Sequence, residues 1–308
     1  MVKTYTPRRL RERNRWLRSD GKPNFRDRVY VREPELGPLM RKDVPSINTS
    51  ATMLRACELM SAYNTRLITV TSGGGEVVGV LTSMDVIDYL GGGSRHNLVR
   101  VSGLESVHEV LNVNVGRVMN ENPLYVDINT PLHRVLELMV SHGLGAVPIT
   151  REDVYAGILT ELEIMKHLSV KHVGVPAGRV MSREVLSIPS NASLEDAMKM
   201  MISLGVRRLP VIDNTLLRGM VTWKDIVDLI GTHRVYSMLR YGLLSEFKSL
   251  KILEVMSTDV EVIDPQVDLG EVASMIARTA TSSLLVVEEG VITGIITERD
   301  VIYGLVVS

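Results

Sequence analysis

The 308-residue chain holds a single cysteine, so no disulfide framework can form within it. No uninterrupted apolar run approaches the roughly 18 residues of a membrane span. The N-terminus is arginine-rich without an apolar core segment, which argues against a secretory signal, and Glu12 argues against a mitochondrial presequence. The motifs of common catalytic sites are missing as well: there is no Gly-x-Ser-x-Gly elbow, no Gly-x-x-x-x-Gly-Lys phosphate loop and no Gly-x-Gly-x-x-Gly dinucleotide fingerprint. The seven histidines lack the spacing of a zinc site. These absences leave a soluble, cytoplasmic, non-catalytic protein without metal as the expectation.

The length suits about two domains and burial of about three quarters of the unfolded surface, so the core needs no staple. A net charge of −1 hides an asymmetry, because residues 1–42 carry +8 and the remainder −9. A basic arm precedes an acidic body.

The body repeats itself fourfold, the first thing to establish in any fold reading. Four hydrophobe-Met pairs, Leu39-Met40, Val118-Met119, Val180-Met181 and Val255-Met256, are each answered by a Gly-apolar-apolar-Thr motif, at Gly79–Thr82, Gly157–Thr160, Gly219–Thr222 and Gly294–Thr297. From Met to Thr the distances are 42, 41, 41 and 41 residues. Within each copy the order is β-α-β-β-α. The first strand, such as Val44–Ile47 or Val260–Ile263, precedes a helix with apolar residues at helical spacing, such as Leu132, Val135, Leu136 and Met139, or Leu194, Ala197, Met198 and Met201. Two strands joined by a tight turn then lead from the Thr into a second helix. Cys57 falls on the apolar face of a repeat helix and reads as core. Trp223 reads as a packing residue or as a border of a ligand site.

The Val-Met lead-in, the stretch Gly-Val-Arg-Arg-Leu-Pro-Val-Ile-Asp at 205–213 and the closing Gly-Ile-Ile-Thr-Glu-Arg-Asp-Val at 294–301 resemble the CBS (cystathionine-β-synthase) domain. The resemblance covers about residues 36–308 and gives an α/β (α+β) fold class: a basic arm at 1–35 and motifs at 36–95, 115–170, 177–232 and 250–308. It implies that copies 1 and 2, and copies 3 and 4, pair into two Bateman modules. The organisation is similar to that of the gamma subunit of AMP-activated protein kinase, four motifs without a catalytic domain. A disc can then close within one chain or by pairing two chains.

Thr82/Asp85, Thr222/Asp225 and Thr297/Asp300 stand where a strand hands over to a helix. A hydroxyl there accepts from free first-turn N–H groups, and a carboxylate three residues on complements the positive helix end, so for any single copy capping alone is as good a reading as ligand binding. In the family, the same pair holds an adenine nucleotide, the Asp accepting from both ribose hydroxyls and the Thr contacting ribose or phosphate. The resemblance therefore marks these six residues as ligand-binding. Copy 2 departs from the pattern with Glu163, one methylene longer.

Phosphates also need cations. Arg207 and Arg208 precede the central strand of copy 3 and Arg66 stands at the equivalent place in copy 1, with Arg299 a lesser candidate beside Asp300. A solvated strand end or an interface salt bridge is the plainer reading of Arg207 and Arg208. The implied ligand is AMP, ADP or ATP, with S-adenosylmethionine sharing the same ribose. The implied partners are a second copy of the chain or an effector protein, with no membrane. In the arm, Pro7–Arg18 reads as a short helix capped by Thr6, able to engage an acidic protein surface or, with Trp16 for stacking, RNA or DNA. Residues 1–35 thus carry the alternative function, nucleic-acid association.

Overall fold

The computed structural model describes residues 34–169, 172–279 and 281–307. The basic arm and its expected helix lie outside the described residues.

Copy 1 comprises helix α1 (Met53–Ala62), strands β1 (Leu67–Thr71) and β2 (Val77–Thr82), and helix α2 (Ser83–Gly91). Copy 2 has α3 (Leu132–His142), β3 (Ala146–Arg151), β4 (Val154–Thr160) and α4 (Glu161–Leu168). Copy 3 has α5 (Leu194–Leu204), β5 (Arg208–Asp213), β6 (Leu216–Thr222) and α6 (Trp223–Gly231). Copy 4 has α7 (Leu269–Thr279), β7 (Ser283–Glu288), β8 (Val291–Thr297) and α8 (Glu298–Val307).

Local chemistry sets the boundaries. Ser193 opens α5 with a capping box, its hydroxyl accepting from Asp196 N, and Gly205 closes the helix in the left-handed region at φ 65°. The spacing of Leu194, Ala197, Met198 and Met201 puts all four on the buried face. Each hairpin is antiparallel, and three turn through two residues of positive φ: Glu152-Asp153, Asn214-Thr215 and Glu289-Gly290. The first strand of each copy is shorter than the sequence pattern suggests. It survives as Val126–Asp127 and Val262–Ile263, and as single parallel bridges Ile47 to Val70 and Ile188 to Val211. Pro45 and Pro189, beside the two single bridges, have no N–H to offer a ladder.

The two repeated motifs touch each other across copies. The residue after each lead-in Met bridges the residue two before the Thr of its module partner: Arg41 with Ile158, Asn120 with Val80, Ser182 with Ile295, Ser257 with Met220. This explains the glycine of the Gly-apolar-apolar-Thr motif, since a Cβ on Gly219 would stand 2.3 Å from Ser257 O and one on Gly157 2.4 Å from Arg41 O. Gly219→Val is expected to destabilise the chain by about 1–3 kcal/mol by overpacking this crossing. Urea unfolding checks it, and unchanged stability would contradict the crossing.

Copies 1 and 2, and copies 3 and 4, are thus joined through their sheets, as the Bateman pairing requires. The hydrophobic cores run the other way. One unites copies 1 and 3 through Met53, Met60, Met198, Met201, Trp223 and Ile230, and the other unites copies 2 and 4 through Leu132, Met139, Met165, Val272, Ile276 and Tyr303. Helix α6 crosses α1 so closely that a Cβ on Gly231 would lie 2.5 Å from Cys57 O, and Gly91 of α2 lies equally close to Met198 of α5. Cys57 is buried in this crossing, and burial pushes its thiol up to about 12. Sheet contacts in one direction and helix contacts in the other close a disc within one chain.

Candidate functional site

Each strand-to-helix handover builds the same hydrogen-bonded corner. In copy 4, Thr297 N and Thr297 Oγ1 both donate to Asp300 Oδ2, each at 2.9 Å. In copy 3 the corresponding distances from Thr222 to Asp225 Oδ2 are both 2.7 Å. In copy 1 they are 2.8 and 2.7 Å from Thr82 to Asp85 Oδ2. The capping arrangement therefore forms in all three copies. A carboxylate offers about four acceptor positions, and the cap uses the two on Oδ2. A carboxylate oxygen that a cap does not use can accept from hydroxyls, so capping and diol binding are compatible duties of one such side chain.

The copies differ in what reaches the second oxygen. Asp85 Oδ1 pairs with Arg95 Nη2 at 2.9 Å. Asp225 Oδ1 receives no hydrogen bond from the described residues. In copy 2 the Thr160 hydroxyl donates to Glu163 Oε2 and Lys166 Nζ reaches Glu163 Oε1 at 3.3 Å, so both oxygens of the longer acid are engaged.

Five of the residues marked by the sequence converge on one cavity of about 180 Å³ between copies 3 and 4: Thr297, Asp300, Arg207, Arg208 and Arg299. Apolar walls come from Val185, Leu186 and Ile295. Thr222 and Asp225 stand at the other strand-to-helix corner of this module, and Thr82 and Asp85 at their counterpart in copy 1. A larger cavity of about 800 Å³ is lined by Arg41, Asp43, Tyr63 and Lys166 beside copy 2. It has no aspartate corner, Arg41 is tied to Asp43 at 2.8 Å, and chemistry rather than size favours the smaller cavity.

Behind that cavity the four copies meet in a buried charge cluster. Arg66 of copy 1 donates to Glu161 of copy 2 at 2.7 Å and to Glu298 of copy 4. Arg299 Nε donates to Glu161 Oε1 at 3.1 Å and its Nη2 to Gly143 O at 2.7 Å. Arg207 stands 3.9 Å from Glu161, and Arg208 donates to Ser282 O. Gly145 leaves room at this centre, since a Cβ there would be 2.8 Å from Arg66 Nη1 and 3.1 Å from Arg207 Nη1. Burial pushes the Glu161 carboxyl up, but Arg299, Arg66 and Arg207 together outweigh it and bring it down to about 2. Burial and its neighbour Glu161 push the Glu298 carboxyl up, against Arg66 and Arg208. Burial, reinforced by Arg299 and Arg66, works against the charge on Arg207. A guanidinium keeps its proton in a protein, so the same cost shows as a demand for a counter-anion.

Arg66 is thus an inter-module ion-pair residue in this structure, with both terminal nitrogens facing carboxylates. Glu161, Glu298 and Arg95 were not marked from the sequence. A signal for the first two existed: copies 2 and 4 carry Glu directly after the Thr, where copies 1 and 3 have Ser83 and Trp223. Trp223 is buried in the core shared by copies 1 and 3. Among the described residues no group of three or more His, Cys, Asp or Glu could hold a metal, and no helix is long and apolar enough to cross a membrane.

Comparison with known proteins agrees with this architecture. The CBS domain profile matches residues 35–92, 115–170, 177–232 and 252–306. The chain is 28% identical over 281 residues to the uncharacterized protein MJ1225 of Methanocaldococcus jannaschii, covering 89% of this chain and 99% of that one. It is also 28% identical over 260 residues to an uncharacterized 33.4 kDa protein in a ribosomal RNA operon of Thermofilum pendens, covering 84% of this chain and 87% of the relative. The crystal structure of MJ1225, proposed as an archaeal homolog of g-AMPK, superposes with a TM-score of 0.80 at 26% identity over 87% of this chain and 99% of that one. With four profile matches spanning most of its length, the chain belongs to the CBS domain family.

Proposed function

We propose that the protein is a non-catalytic regulatory protein that binds an adenosine-containing ligand between paired CBS motifs and signals its occupancy to a partner. The observation that carries this reading is the cavity of copies 3 and 4, where the Thr297-Asp300 corner and three arginines line one space. Asp300 accepts the ribose hydroxyls, Val185, Leu186 and Ile295 flank the base, and Arg207, Arg208 and Arg299 face the phosphates. The corner at Thr222 and Asp225 is the second candidate site of the same module.

Charge narrows the ligand class. Arg207 stands 3.9 Å from Glu161 and Arg208 donates to a backbone carbonyl, so an anionic guest gives both guanidinium groups a full partner. AMP, ADP and ATP supply that charge, and the sulfonium of S-adenosylmethionine does not. AMP has about two dozen heavy atoms, which at about 0.3 kcal/mol each gives about 7 kcal/mol, a dissociation constant near 10 μM. An incoming phosphate draws Arg207 and Arg299 away from Glu161, loosening a tie between modules. Occupancy then shifts the population of module arrangements, as any ligand preferring one arrangement must.

Thermal unfolding with a panel of adenosine compounds tests the reading. At a ligand concentration about 100 times its dissociation constant, stabilisation of about 2.7 kcal/mol is expected. The combined change Asp225→Ala and Asp300→Ala is expected to remove most of it. No stabilisation by any adenosine compound, or full stabilisation of the double variant, would overturn the reading.

A further inference from the structure

We propose that Arg95 is an internal competitor for the sugar position of copy 1, and that it sets how many ligands one chain holds. The inference rests on the reading that the corner aspartates grip a ribose diol.

Arg95 is held in place by more than its pair with Asp85. Helix α2 ends at Gly91, and the chain then folds back over Asp88, which is 1% exposed. Asp88 Oδ1 accepts from Ser94 N at 3.0 Å, and Asp88 Oδ2 accepts from Arg95 N at 2.6 Å and from the Ser94 hydroxyl at 3.2 Å. Gly93 permits this fold, because a Cβ there would stand 1.7 Å from Asp88 Oδ1. The guanidinium so positioned donates through Nε to Val118 O at 2.7 Å, in the lead-in of copy 2, and through Nη2 to Asp85 Oδ1. Oδ1 is the oxygen that the cap leaves over. With side-chain exposures of 15% and 10%, the pair is largely screened from water.

Copy 3 shows the same corner without the plug. Its counterpart of Asp88 is Asp228, whose Oδ2 pairs with Lys224 Nζ at 2.6 Å. Arg234, on the corresponding connection, donates instead to Glu254 O at 3.4 Å. The equivalent corners of the two modules therefore differ: Asp225 Oδ1 receives no hydrogen bond from the described residues, whereas Asp85 Oδ1 is engaged by a charged donor. A charged hydrogen bond exceeds one from a neutral hydroxyl, so a ribose must displace the stronger partner in copy 1. The expected penalty is about 10- to 100-fold in affinity.

Calorimetric titration of the full chain with AMP tests this in the wild type, in Arg95→Ala and in Arg95→Ala with Asp85→Ala. Arg95→Ala is expected to raise the stoichiometry by one AMP per chain, the gained site binding about 10 to 100 times tighter than copy 1 does in the wild type. Adding Asp85→Ala is expected to remove that gain and leave the sites at Asp225 and Asp300 as they were, which also shows that both variants are folded. Unchanged stoichiometry with Arg95→Ala, while the wild type binds AMP, overturns the competitor role alone. A lowered stoichiometry also overturns it and makes Arg95 a ligand contact. Absence of AMP binding in every protein, or a gained site that survives Asp85→Ala, overturns the diol reading and the inference with it.

Discussion

Arg66→Met is expected to destabilise the chain by about 3–5 kcal/mol, because it leaves Glu161 and Glu298 buried without the guanidinium that joins them. The side chains involved are 9%, 3% and 3% exposed, so water cannot replace the lost partner. The position carries structural weight because Arg66 links copies 1, 2 and 4, touching both modules at once. Replacing Arg66, Glu161 and Glu298 together by uncharged residues of similar volume should recover much of the loss, since the cost comes from unpaired charge rather than missing bulk.

The pH dependence has a definite sign. Glu161 titrates near 2 in the folded chain, below its ordinary value of 4.5, so the stability it contributes is present above about pH 4.5 and is lost as pH falls towards 2. Glu298 is shifted upward by burial and opposes this trend: its contribution is greater at low pH and declines as pH rises through its folded value. In Arg66→Met both carboxyls are relieved by protonation. The deficit relative to the wild type is therefore expected to shrink between about pH 4.5 and pH 2, as read by denaturant unfolding across that range. A deficit that grows on acidification would contradict the uncompensated-charge explanation.

Arg207→Met should behave in the opposite way. Its guanidinium is 3.9 Å from its nearest carboxylate, 22% exposed, and opposed by burial and by Arg299 and Arg66. Removing it is expected to leave stability unchanged or raised, while weakening AMP about 10- to 100-fold through loss of a charged hydrogen bond to phosphate. Adenosine, which lacks the phosphate, should bind both proteins equally. Equal loss for AMP and adenosine would place Arg207 at the sugar or base instead. A residue that costs stability yet serves binding is a recurrent mark of functional sites.

The fourfold order was legible in the sequence because its signals are local. Helix periodicity, the handover at each Thr and the constant Met-to-Thr distance can all be read along the chain. What could not be read is what those motifs touch. The glycine of Gly219–Thr222 is needed because Ser257 passes 2.3 Å from where its Cβ would be, in a copy some 40 residues away. The first strands shrank to one or two residues, the two shortest beside Pro45 and Pro189, which offer no N–H to a ladder. The two cores, each shared by copies of different modules, join apolar helix faces contributed by every copy.

The site was legible in part. The three Thr-Asp corners form with the same geometry, yet sequence spacing cannot say which Oδ1 another residue reaches. Arg95 lies ten residues beyond Asp85 and meets it only because Asp88 and Gly93 turn the chain back. The central cluster left a fainter trace. Copies 1 and 3 place Arg66 and Arg207 where copies 2 and 4 have Gly145 and Ser282, and copies 2 and 4 place Glu after the Thr. Complementary charge at complementary positions of alternate copies is a signal of contact, visible once the copies are aligned.

The most direct measurement compares AMP with 2′-deoxy-AMP by calorimetry in the Asp225→Ala chain, with and without Asp300→Ala. With Asp300 present, AMP should bind about 10 to 100 times more tightly than the deoxy compound, and without it the two should bind alike. The same preference for AMP in both proteins, or no preference in either, would contradict the assignment of the Asp300 carboxylate to a ribose diol.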